Sequence, residues 1–206
     1  MRRILAVPAL LVALQLAGCA VRPVQPGTVI DWDERAAALS VGSPWRARGR
    51  LAFKSGKDGG QASLTWVQAD GGTHISLRGP FGVGSYEIAW DSERIAVNGT
   101  NGARAEIYTG RDAADRFLER QLGWSFPARS VRFWMLGIAD PEYPSRRSVD
   151  ASGWLAGIDQ NGWAVSYSRF DKVGDHYLPG KIVMENERAR VRLLVDEWTW
   201  GSASDR

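Results

Sequence analysis

Cysteine and histidine are almost absent from this sequence of 206 residues. The one cysteine, Cys19, cannot form an intramolecular disulfide, so the fold must depend on its apolar core even in an oxidising compartment. The two histidines, His74 and His176, belong to no spacing that is typical of a metal site. The sequence therefore predicts neither a disulfide scaffold nor a bound metal ion.

A hydrophobic run long enough to span a membrane is missing at the N-terminus. The apolar stretch at residues 4–16 has about a dozen residues, whereas a transmembrane helix needs roughly 20. It follows a positively charged start, Arg2 and Arg3, and it ends in the small residues Ala17 and Gly18. This order is typical of a secretory signal peptide, which we assign to residues 1–18.

The junction Leu16-Ala17-Gly18-Cys19 resembles the lipobox of bacterial lipoproteins. That resemblance implies cleavage before Cys19, followed by a diacylglyceryl group and an N-linked acyl chain on this residue. Because two or more chains anchor a protein stably, the lipid alone would hold it on a membrane. Ala20, where Asp would favour inner-membrane retention, implies the periplasmic face of the outer membrane. The alternative is an ordinary secretory signal with a chance cysteine.

An excess of charge of one sign is also absent. Removal of Arg2 and Arg3 with the signal leaves 24 basic against 23 acidic residues. Such a balance argues against a nucleic-acid partner.

Motifs of catalysis are lacking too. The chain contains no Gly-x-Ser-x-Gly elbow, and the acidic pairs Asp31/Asp33 and Glu185/Glu187 fit the solvated sides of a helix start and a strand. We therefore predict no catalytic residue, no enzyme activity and no cofactor other than the covalent lipid.

The remaining chain contains alternating strands interrupted by helical periodicity. Residues 19–30 predict a lipidated tether and residues 31–206 a single domain that is mainly β, an incomplete antiparallel barrel with inserted helices. Helices are predicted at residues 31–39, 111–122 and 127–136, a loop at 137–147, and hairpin turns at 58–60, 70–72 and 159–162. Strands are predicted around residues 45–53, 62–67, 74–78, 85–90, 95–97, 105–107, 153–158, 163–167, 181–185 and 189–198.

Arginines line one face of the first predicted strand. Arg46, Arg48 and Arg50 alternate with apolar residues, and this stripe would either face anionic lipid or an acidic partner, or form a solvated face that guards a sheet edge. The ten tryptophans leave a similar choice, because they could be ordinary core or could line an apolar site.

The turn between two of the strands is apolar where turns are usually polar. Pro80, Phe81, Gly82 and Val83 form its tip in place of Asn, Asp or Ser. Phe81 could fold back onto the core. Alternatively, the tip could dip into a membrane, where burial of one Phe contributes about 1.5–3 kcal/mol.

Taken in order, these segments resemble the LolB family of outer-membrane lipoprotein receptors. No single piece is specific, but their order together with the lipobox is. The matching pieces are residues 49–53, Leu64 with Trp66, Leu77 with residues 79–82, residues 122–124 with Pro127, Trp134 with Gly137, Gly162 and Trp163 with Val165 and Tyr167, Leu178 and Pro179 with Lys181, and residues 192–198.

The resemblance implies a helical lid over a hydrophobic cavity. It implies a monomeric receptor that accepts lipoproteins from the periplasmic carrier LolA, binds their acyl chains, and inserts them into the outer membrane. The family needs an apolar residue at the loop tip, a position that Phe81 occupies here. A leucine is expected there, so Phe81 departs from the pattern while it keeps the apolar character.

Inward strand faces supply the expected cavity lining. These residues could equally be ordinary core, in which case the protein would be an outer-membrane lipoprotein scaffold without lipid transfer. A third hypothesis is that the protein is a cell-envelope hydrolase, which would require a nucleophile and a base that lie close together in the fold. The predicted lining consists of Leu64, Trp66, Ile75, Leu77, Tyr86, Ile88 and Trp163.

Overall fold

The structure is a computed structural model. The predicted lipidation site Cys19 and three residues of the apolar tip, Phe81, Gly82 and Val83, lie outside the described residues. The described residues are 30–40, 42–69, 72–80, 84–99, 106–110, 112–122 and 126–201.

Within that part of the chain, three helices accompany one antiparallel sheet of eleven strands. None of the described helices combines the length and hydropathy that a membrane span requires. The helices are α1 (Trp32–Ser40), α2 (Ala113–Leu122) and α3 (Ala128–Met135). The strands are β1 (Trp45–Ser55), β2 (Asp58–Ala69), β3 (Gly72–Arg78), β4 (Ser85–Trp90), β5 (Arg94–Gly99), β6 (Glu106–Thr109), β7 (Ser145–Val149), β8 (Leu155–Gln160), β9 (Trp163–Val173), β10 (His176–Glu185) and β11 (Ala189–Trp200).

The sheet runs in the order β6-β5-β4-β3-β2-β1-β11-β10-β9-β8-β7. Successive strands pair from β1 to β6 and from β7 to β11, and β1 also pairs with β11, which joins the two halves of the chain in the middle of the sheet. The outermost strands, β6 and β7, leave the sheet open. The predicted fold class, an incomplete antiparallel barrel with inserted helices, is confirmed.

The central place of β1 decides between the interpretations of the arginine stripe. Because β1 has a partner strand on each side, the idea that the stripe guards a sheet edge is wrong. Arg48 pairs with Glu197 at 3.5 Å and Arg50 with Asp196 at 3.2 Å, both carboxylates belonging to β11. The stripe lies on the outer face of the sheet, where exposed ion pairs contribute little to stability.

Two local predictions are wrong for the same reason: exposed segments carry no hydrophobic alternation. The predicted loop at 137–147 ends in β7, whose five residues are all exposed and which forms one edge of the sheet. The predicted turn at 58–60 belongs to β2, since Asp58 pairs with Ser55 and the chain reverses at Gly56 and Lys57. By contrast, Asn161 and Gly162 both adopt positive φ between paired Gln160 and Trp163, as a two-residue hairpin loop requires.

A buried polar network fastens α3 to β8. The indole of Trp134 donates to Oε1 of Gln160 at 2.9 Å, and the Gln160 amide donates to the carbonyl oxygens of Asp140 and Tyr143. Ser130 donates to the Asp140 carboxylate at 2.9 Å and accepts from Asn161. Because nearly every polar atom of this network has a partner, it holds α3 in one position against the sheet.

Helix α1 covers the far end of α3. Asp31 caps α1, accepting the backbone N–H groups of Asp33 and Glu34. The buried Arg35 guanidinium donates to the carbonyl oxygens of Leu136, Gly137 and Tyr177. Burial lowers the pKa of Arg35 to about 10, which still leaves it charged at neutral pH. A cation at the carboxyl end of a helix is favourable.

The apolar interior consists of two clusters. The larger is built around Trp134, Leu178 and Ile182, and the smaller joins β4 and β5 to α2 and α3. Ile75 and Leu77 of β3 pack against both. All the strand pairings and both clusters described here lie within residues 30–201, so a chain without the lipid contains the whole described fold.

Candidate functional site

A cavity of about 440 Å³ lies between the two clusters, within the usual range for a ligand site of roughly 300–1,000 Å³. Strands β1 to β5 and β10 to β11 form its wall, and α2 and α3 cover it. The lining consists of Leu51, Phe53, Leu64, Trp66, Ile75, Leu77, Tyr86, Ile88, Trp90, Ile95, Ala114, Phe117, Leu118, Phe126, Ala128, Val131, Met184, Val191 and Leu193.

The chemistry of this lining is almost entirely hydrocarbon. Among the described residues it contains no charged side chain, and its side-chain oxygen and nitrogen atoms are confined to the hydroxyl of Tyr86 and the indole nitrogens of Trp66 and Trp90. The Trp66 nitrogen is buried and has no hydrogen-bond partner within the part of the chain that the structure describes. A space of this kind favours an apolar ligand, because a polar one would lose its hydrogen bonds to water without replacement.

Six of the seven residues predicted from the sequence line this cavity. Leu64 and Trp66 of β2, Ile75 and Leu77 of β3, and Tyr86 and Ile88 of β4 are cross-strand neighbours: Leu64 pairs with Leu77 and Leu77 with Tyr86.

The seventh, Trp163, is not part of the lining. Its side chain is buried in the larger cluster, where its ring meets the ring of Phe126 edge-on at 5.3 Å. Trp163 lies on the predicted inward strand face, but in a region where that face is covered by packed side chains. Phe126 lines the cavity and also contacts Trp163, so it lies between Trp163 and the cavity.

Sequence reasoning missed the contribution of the helices and of the last strands. Phe117, Val131 and Met184 face inward with the expected periodicity, but periodicity does not distinguish a packed contact from a cavity wall. Only the distance between the helices and the sheet decides this.

The hairpin between β3 and β4 joins two strands of the cavity wall. Tyr86, the second residue of β4, is the most exposed lining residue, at 44%. At the base of the hairpin, the Gly79 N–H donates to the Gly84 carbonyl at 3.3 Å, and Pro80 is exposed. The predicted apolar tip therefore follows directly from the strands that form the cavity wall.

A single carboxylate joins the two covering helices. Asp115 of α2 accepts the backbone N–H of Ala128, the first residue of α3, at 2.8 Å. Pro127, which precedes α3, offers no side-chain cap, so Asp115 takes that role from a neighbouring helix. Burial raises the pKa of the Asp115 carboxyl above its ordinary value, and this hydrogen bond opposes the shift.

Three members of the acidic pairs weighed for catalysis have structural roles: Asp31 caps α1, Asp33 pairs with Arg147 at 2.7 Å, and Glu185 pairs with Arg190 at 3.4 Å. His74 is exposed, and His176 packs against the ring of Trp200 at 4.8 Å. In the portion of the chain that the structure covers, no group of three or more His, Cys, Asp or Glu side chains could hold a metal ion.

Comparison with known proteins gives the family. The sequence model of the family described as "Outer membrane lipoprotein LolB" matches residues 43–198. The chain belongs to the LolB family. A protein of Nitrosococcus oceani named outer-membrane lipoprotein LolB is 33% identical over 192 residues, which cover 90% of this chain and 92% of that protein. The LolB of Pseudomonas fluorescens is 29% identical over 188 residues, covering 89% and 90% of the two chains.

Solved structures support the fold of this LolB-family chain. A putative outer-membrane lipoprotein-sorting protein domain from Vibrio parahaemolyticus superposes with a TM-score of 0.53 at 8% identity, covering 85% of this chain and 92% of that one. A LolA superfamily protein from Nitrosomonas europaea gives 0.52 at 8% identity, over 84% and 93% of the chains. Family membership confirms the resemblance to LolB that the sequence segments indicated. It also confirms the outer-membrane location and places the chain among proteins of lipoprotein localisation.

Proposed function

We propose that this chain accepts lipoproteins from the periplasmic carrier LolA by binding their acyl chains in the cavity, and that it inserts them into the outer membrane. The observation that carries the proposal is the uncharged cavity beneath α2 and α3. The proposed reaction is a transfer without covalent chemistry, performed by a monomer whose only added group is the lipid on Cys19.

The energetics explain why such a cavity would be needed. Exposure of a cargo chain of about 16 carbons to water costs a free energy of roughly 12 kcal/mol, at about 0.8 kcal/mol for each methylene. Passage of a lipoprotein through water with its chains exposed is therefore prohibitive. A receptor must offer an apolar surface before the carrier releases the chain, and a wall of Leu, Ile, Phe and Trp side chains provides one.

The decisive experiment mixes carrier-bound lipoprotein with the unlipidated chain from residue 19 onwards, carrying Cys19→Ala. We expect cargo to move from the carrier to this chain, which co-purification or cross-linking measures. Absence of any transfer would favour the alternative that the protein is a lipoprotein scaffold without lipid transfer, in which the cavity is only a packing defect.

A cavity-filling variant tests whether the cavity itself receives the cargo. Ile75 is half-buried, lines the cavity and contacts both clusters, so Ile75→Trp should occupy space that an acyl chain needs. We expect cargo acceptance to fall at least tenfold while the circular dichroism spectrum stays native. The matched control is Ile107→Trp, which adds the same volume on β6, where the side chain is 60% exposed and outside the cavity. Equal acceptance by the two variants would remove the cavity from the proposal.

A further inference from the structure

A second groove, of about 490 Å³, lies on the opposite face of the sheet from the acyl-chain cavity. It crosses β11, β1, β2 and β3 where these strands approach the hairpin that carries Pro80. Three of its described lining residues are arginines, Arg50, Arg78 and Arg192, and none of the described ones is an aspartate or glutamate.

The strand register explains why the arginines meet here. Arg50 lies opposite Ser63, and Ser63 lies opposite Arg78, so the two arginines occupy one row across three strands. Neighbouring strands lie about 4.8 Å apart, which places these two side chains roughly 10 Å from each other. Arg192 enters the groove from β11, where it is opposite Ala52.

The charges in this groove are only partly compensated. Arg50 pairs with Asp196 at 3.2 Å, from outside the lining. Arg78 and Arg192 are exposed, and within the described residues neither forms an ion pair. Two positive charges therefore remain at this place in a chain whose overall charge is nearly balanced.

We propose that this arginine groove docks the protein on the phosphate groups of anionic phospholipids, next to the β3–β4 hairpin, whose apolar tip we expect to enter the bilayer. Guanidinium groups bind phosphate oxygens through paired hydrogen bonds, and basic side chains near a surface are attracted by anionic lipid. Gly79 and Pro80 line one end of the groove, so a bilayer that meets the hairpin also meets Arg78.

The proposal deepens the proposed function, on which it rests, by naming what orients the receptor during delivery. The lipid on Cys19 fixes the distance to the membrane but not the rotation of the fold. Ionic contacts at the groove would hold the β3–β4 hairpin against the bilayer, because Gly79 and Pro80 of this hairpin line the groove.

The test is vesicle co-sedimentation of the unlipidated chain carrying Cys19→Ala. The vesicles are made of phosphatidylcholine alone, or of phosphatidylcholine with phosphatidylglycerol. We expect binding only to the phosphatidylglycerol vesicles, with a loss as salt rises. Arg78→Gln with Arg192→Gln should weaken it roughly 25-fold at low salt, at about fivefold for each arginine near the surface.

The matched control removes two arginines that lie outside the groove, one on β1 and one on β11. Arg48 and Arg190 pair with Glu197 and Glu185 and do not line the groove, so Arg48→Gln with Arg190→Gln changes the net charge equally. We expect this control to bind like wild type. Equal losses in the two double variants, or equal binding of wild type to both kinds of vesicle, would overturn the proposal.

Cargo assays separate this proposal from the proposed function. We expect the Arg78→Gln, Arg192→Gln chain to accept cargo normally and to deliver it slowly. If it loses acceptance from the carrier but binds vesicles as wild type does, the groove recognises an acidic protein surface and the lipid assignment is wrong. If wild type accepts no cargo at all, the proposed function fails, whatever the vesicles show.

Discussion

At the scale of single residues, position relative to the two clusters matters more than residue type. Trp66 and Trp163 are both buried tryptophans on inward strand faces, yet Trp66 forms cavity wall and Trp163 does not. Trp45 packs tilted against Trp66, with ring centroids 5.8 Å apart, and meets Trp198 edge-on at 5.5 Å, so two further tryptophans pack next to this part of the wall. Of the tryptophans that the structure describes, most serve as packing, as their size favours.

The prediction at the scale of single residues concerns Phe81. Phe81→Glu should leave cargo acceptance intact and impair delivery to membranes, because a charge at the hairpin tip replaces a side chain whose burial is worth about 1.5–3 kcal/mol. Delivery from the loaded receptor into vesicles measures this. Val149→Glu, at an exposed apolar position on β7, is the control and should deliver normally. Normal delivery by Phe81→Glu would mean that the tip plays no part in insertion.

At the scale of elements, the two covering helices are held by different contacts. Helix α3 is fixed by the Gln160 network and by the hydrogen bond from the Tyr167 hydroxyl to the Trp134 carbonyl at 2.9 Å. Helix α2 belongs to the smaller cluster, meets α3 through Asp115, and meets β6 through Arg116, whose guanidinium donates to the carbonyl oxygen of the last β6 residue. The two helices therefore rest on different parts of the sheet.

The Asp115 contact between the two helices can be tested by substitution. Asp115→Ala removes the cap of α3 and should lower the free energy of unfolding by about 1 kcal/mol, whereas Asp115→Asn keeps an acceptor and should cost little. Chemical denaturation measures both, and hydrogen exchange should show faster opening of the first turn of α3 in the Ala variant. Equal stability of the Ala variant and wild type would show that the hydrogen bond from the Ala128 N–H to Asp115 does not stabilise the fold.

The pH dependence follows from the raised pKa of Asp115. A folded-state pKa above the unfolded value means that the fold favours the protonated carboxyl. The contribution of this group to stability is therefore present below the ordinary aspartate pKa and is lost as pH rises through the raised value. Relative to Asp115→Asn, wild type should lose stability over that interval.

At the scale of the whole molecule, the cavity exists because the chain builds two clusters instead of one. The sheet curves between them, and the pairing of β1 with β11 joins its halves. Because the cavity lies between the two clusters, the apolar space is kept without a large void inside either cluster. This arrangement keeps the fold close-packed while it leaves apolar space.

We expect the lipid predicted on Cys19 to contribute location and not the transfer step. The chain with Cys19→Ala should accept cargo in solution at a rate close to that of the lipidated protein, but it should no longer fractionate with membranes, because three acyl chains are lost. Transfer assays and membrane fractionation measure the two effects separately. Loss of acceptance on removal of the lipid would place the anchor within the binding step.

Much of the fold could be predicted because strand alternation and helical periodicity are local properties. The strand pattern around Trp45 and Ala47, the helix capped by Asp31 and the hairpin at Asn161 all follow from neighbours in the sequence. The strand β7 could not be predicted, since an edge strand exposed along its whole length has no apolar face to produce a pattern.

By itself, the sequence determined the class of the fold, the family and the inward faces of the strands, because these depend on the order and spacing of side chains. Only the tertiary structure decided which inward residues enclose a cavity and which, like Trp163, are core. It also brought Arg50, Arg78 and Arg192 together from three strands. Both outcomes depend on distances between elements far apart in the chain, which no local pattern contains.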